Sequence, residues 1–178
     1  MQKFARILVL AALAGLVFWS WRALFPNPEK AIRSRLDKLA KAASFSPSDG
    51  AIAKLSYAHN LADFCTTNVE ITVNGPGHEE HSLNGWGELL QTATAVRANW
   101  RGLDAKFVDI NVSLAPDKQS ATVNLTAEAK VAGEQSLDAQ ELKFTLLKVD
   151  GKWLIRRVET VKTFSHMNAG RFALLNLQ

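Results

Sequence analysis

Hydrophobic positions recur along this chain in three periods, and each period marks a region. From Ile7 to Phe25 the run ILVLAALAGLVFWSWRALF is interrupted only by Ser20 and Arg22. A helical period follows. Ile32, Leu36, Leu39, Ala40 and Ala43 predict an amphipathic helix over 28–44, with Asn27 as its cap and Pro28 as its first residue. Ser46-Pro47-Ser48-Asp49 predicts a second start, with Ser46 capping and an acid three residues on. Ile52, Leu55, Ala58, His59, Ala62 and Cys65 carry that helix to about Thr66. Val69, Ile71 and Val73 then alternate with polar residues as a short strand, and Gly75-Pro76-Gly77 turns it toward a returning strand over 78–83. Asn84 is placed to cap a third helix with Trp86, Leu89, Leu90, Ala93, Val96 and Trp100 on one face, against the sheet.

Beyond Gly102 the period becomes two. Val108, Ile110, Val112 and Leu114 form one apolar row, and Ala121, Val123, Leu125, Ala127, Ala129 and Val131 form the next. The third long strand covers about 136–149, and its phase slips near Gln140, which predicts a bulge. Asp150-Gly151 makes a tight turn into the last strand, Trp153 to Phe164. Helices gathered ahead of an antiparallel meander predict an α+β fold with the helices on one sheet face. The chain divides into an apolar helix (1–25), a linker with the first amphipathic helix (26–50), the rest of one domain (51–164) and a tail (165–178).

Charge changes the picture only through its location. The 178 residues hold 21 Lys+Arg and 17 Asp+Glu, a net charge of +4. Residues 1–25 contain Lys3, Arg6 and Arg22 and no acid, so three of the four excess charges flank the apolar run. The remainder is nearly neutral, which excludes nucleic acid as an expected partner. Its one basic bias is local: Lys30, Arg33, Arg35, Lys38 and Lys41 crowd one segment, where they face either lipid headgroups or plain solvent.

The run from 7 to 25 would span about 29 Å as a helix, close to a bilayer's hydrocarbon thickness. Lys3 and Arg6 mark one membrane interface, and Trp19, Trp21 and Arg22 the other. The expectation is an uncleaved single-pass signal-anchor. A cleaved signal peptide is the alternative, but Trp21, Arg22, Leu24 and Phe25 fill the place where small residues are needed. The short basic start favours an exported domain, periplasmic or extracellular, while the basic residues after the span argue for the cytoplasm.

Three stretches carry a family resemblance: the helix 51–66 running into Val69-Glu70-Ile71-Thr72-Val73, the helix entry Leu83-Asn84-Gly85-Trp86-Gly87-Glu88-Leu89, and the hairpin Leu146-Leu147-Lys148-Val149-Asp150-Gly151-Lys152-Trp153-Leu154-Ile155. Over residues 28–164 the chain resembles the nuclear transport factor 2-like (NTF2-like) superfamily, which includes ketosteroid isomerase-like and SnoaL-like proteins. The resemblance implies a cone of three helices on a curved, mainly antiparallel sheet, enclosing a pocket. The layout behind an apolar segment also resembles domains of bacterial secretion machines.

In the isomerase-like enzymes a carboxylate on the first strand is the general base. Here Thr72 falls near that place, and a hydroxyl cannot perform the task near neutral pH. Glu70, on the same face, is the substitute. Tyr57 is a candidate oxyanion donor, His59 and Asp63 a candidate i, i+4 dyad, and Trp86 a residue of the pocket mouth. The pocket-lining candidates are thus Tyr57, His59, Glu70, Thr72 and Trp86, with no catalytic set complete. His78-Glu79-Glu80-His81 has the wrong spacing for a helical zinc site, and the lone Cys65 reads as a buried small residue. No cofactor or metal is expected. The expected function is a membrane-anchored, non-catalytic domain binding a protein partner or a small apolar ligand. The alternatives are a SnoaL-like enzyme acting on a small hydrophobic substrate and a structural homodimer, paired through the sheet face, in an envelope assembly.

Overall fold

The computed structural model describes residues 27–74, 80–133 and 136–168. Within them the chain forms α1 (Pro28–Ala43), α2 (Ala51–Ala62), β1 (Cys65–Asn74), β2 (Glu80–Asn84), α3 (Gly85–Asn99), β3 (Leu103–Leu114), β4 (Ser120–Val131), β5 (Ser136–Val149) and β6 (Lys152–Asn168). The strands make one sheet in the order β2-β1-β6-β5-β4-β3. Its pairs are antiparallel except β1 with β6, which run parallel. The α+β architecture is the one that the change of period predicts.

The core lies between the helices and one face of the sheet. Val123 stands opposite Phe144 and Leu125 opposite Leu142, while Leu146 pairs with Ile155 across β5 and β6. All six side chains are buried, and α1 lays Ile32, Leu36 and Leu39 on this layer. The residues between them, such as Asn124 and Lys143, point to the other face.

Local chemistry moves several element boundaries. At α1, Glu29 N–H donates to Asn27 Oδ1 (3.0 Å), as the cap pattern predicts. At the second start it does not. Ser46 N–H donates to Asp49 Oδ2 (2.8 Å) within a turn, and α2 begins five residues later, after Gly50. Asn84 precedes α3 without a side-chain cap bond; instead its N–H donates to Glu88 Oε2 (2.7 Å). Trp100 lies past the end of α3, 42% exposed, rather than packed on the sheet. In β3 the register slips between Val108 and Asn111, around Asp109 at φ 52°. The bulge puts Phe107 and Ile110 together on the core and takes Val108 out of the expected row. β5 and β6 slip at three places, two of them flanking Gln140 and Glu141, where the sequence phase breaks. β6 runs on to Asn168, past the expected end at Phe164.

The apolar run 7–25, with Lys3, Arg6, Trp19, Trp21 and Arg22, lies outside the described residues, as does the tail beyond Asn168. Among the described residues no helix is long and apolar enough to cross a membrane.

Candidate functional site

β1 offers the first candidate group, and the sheet decides which way it points. Val69 is buried and Ile71 and Val73 pack on the core, so alternation turns Glu70 and Thr72 to the opposite face. The parallel register sets Glu70 against Arg157 and Thr72 against Glu159. Glu70 Oε1 pairs with Arg156 Nη2 at 2.9 Å, and Oε2 with Arg157 Nη2. The chain of charge continues through Arg157 and Glu159 (3.9 Å) to Lys143 (3.3 Å). Hydrogen bonds from Arg157 and Arg156 hold the Glu70 carboxyl below the usual glutamate range. A carboxylate held by two guanidiniums is a weaker base, the opposite of the tuning that proton abstraction near neutral pH requires.

The second candidate region is the helix side. His59 is exposed on α2 and its ring lies 5.7 Å from that of Trp86, tilted at 49°. Trp86 is partly buried against the core. The structure therefore brings together two of the five pocket-lining candidates and places Glu70 and Thr72 on the other side of the sheet. The Tyr57 side chain lies outside the described residues. Among the described residues no hydrogen bond or ion pair joins His59 and Asp63 through their side chains; Asp63 N–H donates to His59 O (3.1 Å), closing α2. His78 and Glu79 lie outside the described residues, and His81 is exposed.

Cys65 opens β1 beside Arg35. Burial pushes its thiol up to about 12, against the smaller opposing pull of the Arg35 charge. Arg35 Nη2 donates to Asp63 O (2.8 Å), and its guanidinium sits 4.1 Å from the Phe64 ring centroid. Burial lowers the Arg35 pKa, but from a value so high that the charge persists. A thiol kept protonated is not a nucleophile.

The third region is a half-open cleft of about 200 Å³ between the ends of α1 and α2, the inner face of α3 and the start of β3. Ala43, Phe45, Leu61, Leu89, Thr92, Ala93, Val96, Arg97 and Leu103 line it. A two-bond bridge fixes its base: Phe45 and Leu103 exchange backbone hydrogen bonds, each 2.9 Å. Gly102 makes that approach possible. A Cβ there would stand 3.0 Å from Pro47 Cδ and 3.1 Å from both Ala132 Cβ and Phe45 O. Arg97, only 3% exposed, donates from Nη2 to Ala42 O at the end of α1 and lies over the Phe45 ring (4.9 Å). It thus satisfies one of the last carbonyls of α1 and complements that helix's dipole. The pattern contains a sign of this role, because Leu89, Ala93 and Arg97 recur at i, i+4 and i+8 on the inner face of α3.

Comparison with known proteins places this geometry. No family model matches the sequence, and no curated protein matches it. Solved structures do match. Aln2 from a Streptomyces species has a TM-score of 0.61 at 12% identity, over 86% of this chain and 98% of that one. A candidate scytalone dehydratase of Novosphingobium aromaticivorans has a TM-score of 0.58 at 16% identity, over 79% of this chain and 86% of that one. Yeast Bre5, a Ubp3-associated protein, has a TM-score of 0.56 at 16% identity, over 77% of this chain and 96% of that one. The fold is the NTF2-like cone. At these identities the likeness is one of fold alone, and the NTF2-like fold hosts many activities.

Proposed function

We propose that this chain is a membrane-anchored, non-catalytic NTF2-like domain that binds a small apolar ligand in the cleft between α1, α2 and α3. The observation that carries the reading is the cleft's lining. Seven of its nine residues are Ala, Val, Leu or Phe, while Glu70 lies across the sheet, neutralised by two arginines. A half-open cleft of about 200 Å³ has room for one or two fused rings against its apolar wall. The anchor reading is supported by the 19-residue run 7–25, and its basic start favours an exported domain.

The SnoaL-like enzyme reading draws on the fold and on one similar structure described as a dehydratase. Bre5, described as Ubp3-associated, has the same fold without that description, so the site must decide between the two readings. Titration of the full chain in detergent with naphthalene, followed by calorimetry, tests the binding reading. Saturable one-to-one binding is expected, at least about tenfold weaker in Ala93→Phe, whose ring fills the cleft. Equal binding by both proteins overturns the cleft assignment. An unchanged circular dichroism spectrum verifies that the variant folds.

A further inference from the structure

The solvent face of α1 carries charge that no part of the described fold uses. Five basic residues lie on this helix, and the structure divides them. Arg33 is partly exposed but committed, donating to Glu29 (2.9 Å and 3.1 Å) and to Ile110 O (2.8 Å). Arg35 is committed to Asp63 O and the Phe64 ring. Lys30, Lys38 and Lys41 are exposed and enter no ion pair among the described residues. With Ser34 and Asp37, also exposed, they form one stripe opposite the buried Ile32, Leu36, Leu39 and Ala40. The stripe is about 16 Å long, carries three positive charges against one negative, and has no apolar side chain for insertion.

We propose that this face docks on the anionic phospholipid headgroups of the membrane that holds the anchor. The inference rests on the anchor reading of residues 7–25. The apolar run ends at Phe25 and α1 begins at Pro28, so the first turn of the helix stands within about 10 Å of the span's end. Two postures follow. If α1 stood upright, Lys41 would lie more than about 16 Å from the surface, beyond the roughly 8 Å screening length of physiological salt. The membrane would then meet the adjoining β3–β4 and β5–β6 turns, where Lys148 N–H donates to Gln119 O (2.7 Å) and Asp117, Lys118, Lys148, Asp150 and Lys152 leave a net charge of only +1. If α1 lies flat, all three lysines come within the screening length at once. Each lysine near an anionic surface shifts the docked-to-undocked ratio about fivefold and Asp37 opposes one of them, so the net two charges shift it by roughly 25-fold. The sequence Pro26-Asn27-Pro28 between the apolar run and α1 cannot continue a helix without a break, which a change of direction between span and helix requires.

The test uses the full chain, with Cys65→Ala, in nanodiscs of phosphatidylcholine with or without phosphatidylglycerol. A fluorophore at Ser34→Cys reports the α1 face, one at Asn124→Cys the far sheet face, and one at Asp117→Cys the β3–β4 turn. A headgroup nitroxide should quench the Ser34 label strongly only when phosphatidylglycerol is present. High salt, or the triple change Lys30→Glu, Lys38→Glu and Lys41→Glu, should abolish that quenching, with the Asn124 label unaffected throughout. Equal Ser34 quenching in both lipids, an unaltered triple variant, or quenching at Asp117 in place of Ser34 overturns the docking. Carbonate extraction of the same protein separates the two readings. Release overturns the anchor and the docking together, whereas retention with an unquenched Ser34 label overturns the docking alone.

Discussion

On the helix side of β4 and β5, Val123 faces Phe144 and Leu125 faces Leu142, with α1 closing over them. On the other side of the same sheet, Glu70, Arg157, Glu159 and Lys143 form a line of alternating charge open to solvent. The two faces share one backbone and differ only in the phase of the side chains. Their energetics differ in kind. The inner face gains from area removed from water and from close packing, neither of which depends on charges that salt can screen. The outer face gains from exposed ion pairs, which are weak and screened. The titrating groups of β1 obey the same division: burial raises the pKa of Cys65, and ion pairing lowers that of Glu70. Both shifts lead away from reactivity, leaving the thiol protonated and the carboxylate ionised.

Substitutions can break this contrast. The largest effect is expected at Leu146, fully buried between β4 and β6. Leu146→Ala should cost about 2–5 kcal/mol in urea unfolding. Asn124→Ala, on the far face of the neighbouring strand, should stay within about 0.5 kcal/mol. Comparable losses at the two sites would mean that the outer face is also packed. At Cys65 a thiol reagent at mildly alkaline pH should label the folded protein far more slowly than the urea-unfolded chain. Because the folded pKa is raised, stability should be intact below the ordinary thiol value and fall as the pH climbs from there toward about 12. A Cys65→Ala variant should lose that alkaline slope.

The smallest effect belongs to Glu70→Gln. Its folded pKa is lowered, so its contribution should be present above the ordinary glutamate range and fade as the pH falls through the folded value. The gap between wild type and variant in unfolding midpoint should also shrink with added salt, while the gap for Leu146→Ala should not. A Glu70 gap indifferent to salt would mean that the carboxylate is buried in a packed interface.

Much of the fold is legible in the sequence because burial imposes period. The rows Ala121-Val123-Leu125 and Ile32-Leu36-Leu39 are core rows in the structure, and the phase slip near Gln140 marks real bulges. Pairing partners are less legible. Glu70 meets Arg157 across 87 positions through a parallel pairing that no local pattern encodes. The resemblance to the isomerase-like enzymes put Glu70 and Thr72 beside Tyr57 and His59 as one expected pocket lining, whereas the sheet face to which β1 turns each residue is set by register with β6. The bulge at Asp109 was hidden because an aspartate at positive φ costs little and leaves the apolar count unchanged. The cleft was also hidden, because leucine and alanine lining a space read like leucine and alanine filling one.

Methyl-resolved NMR of the full chain during a naphthalene titration distinguishes a ligand site among the helices from a closed core. Methyl signals of Leu61, Leu89, Val96 and Leu103 should shift together and saturate, while those of Val123 and Leu146 in the packed core stay in place. Shifts confined to residues around His59, Trp86 or Glu70, or no saturable shift at all, would contradict the cleft as that site.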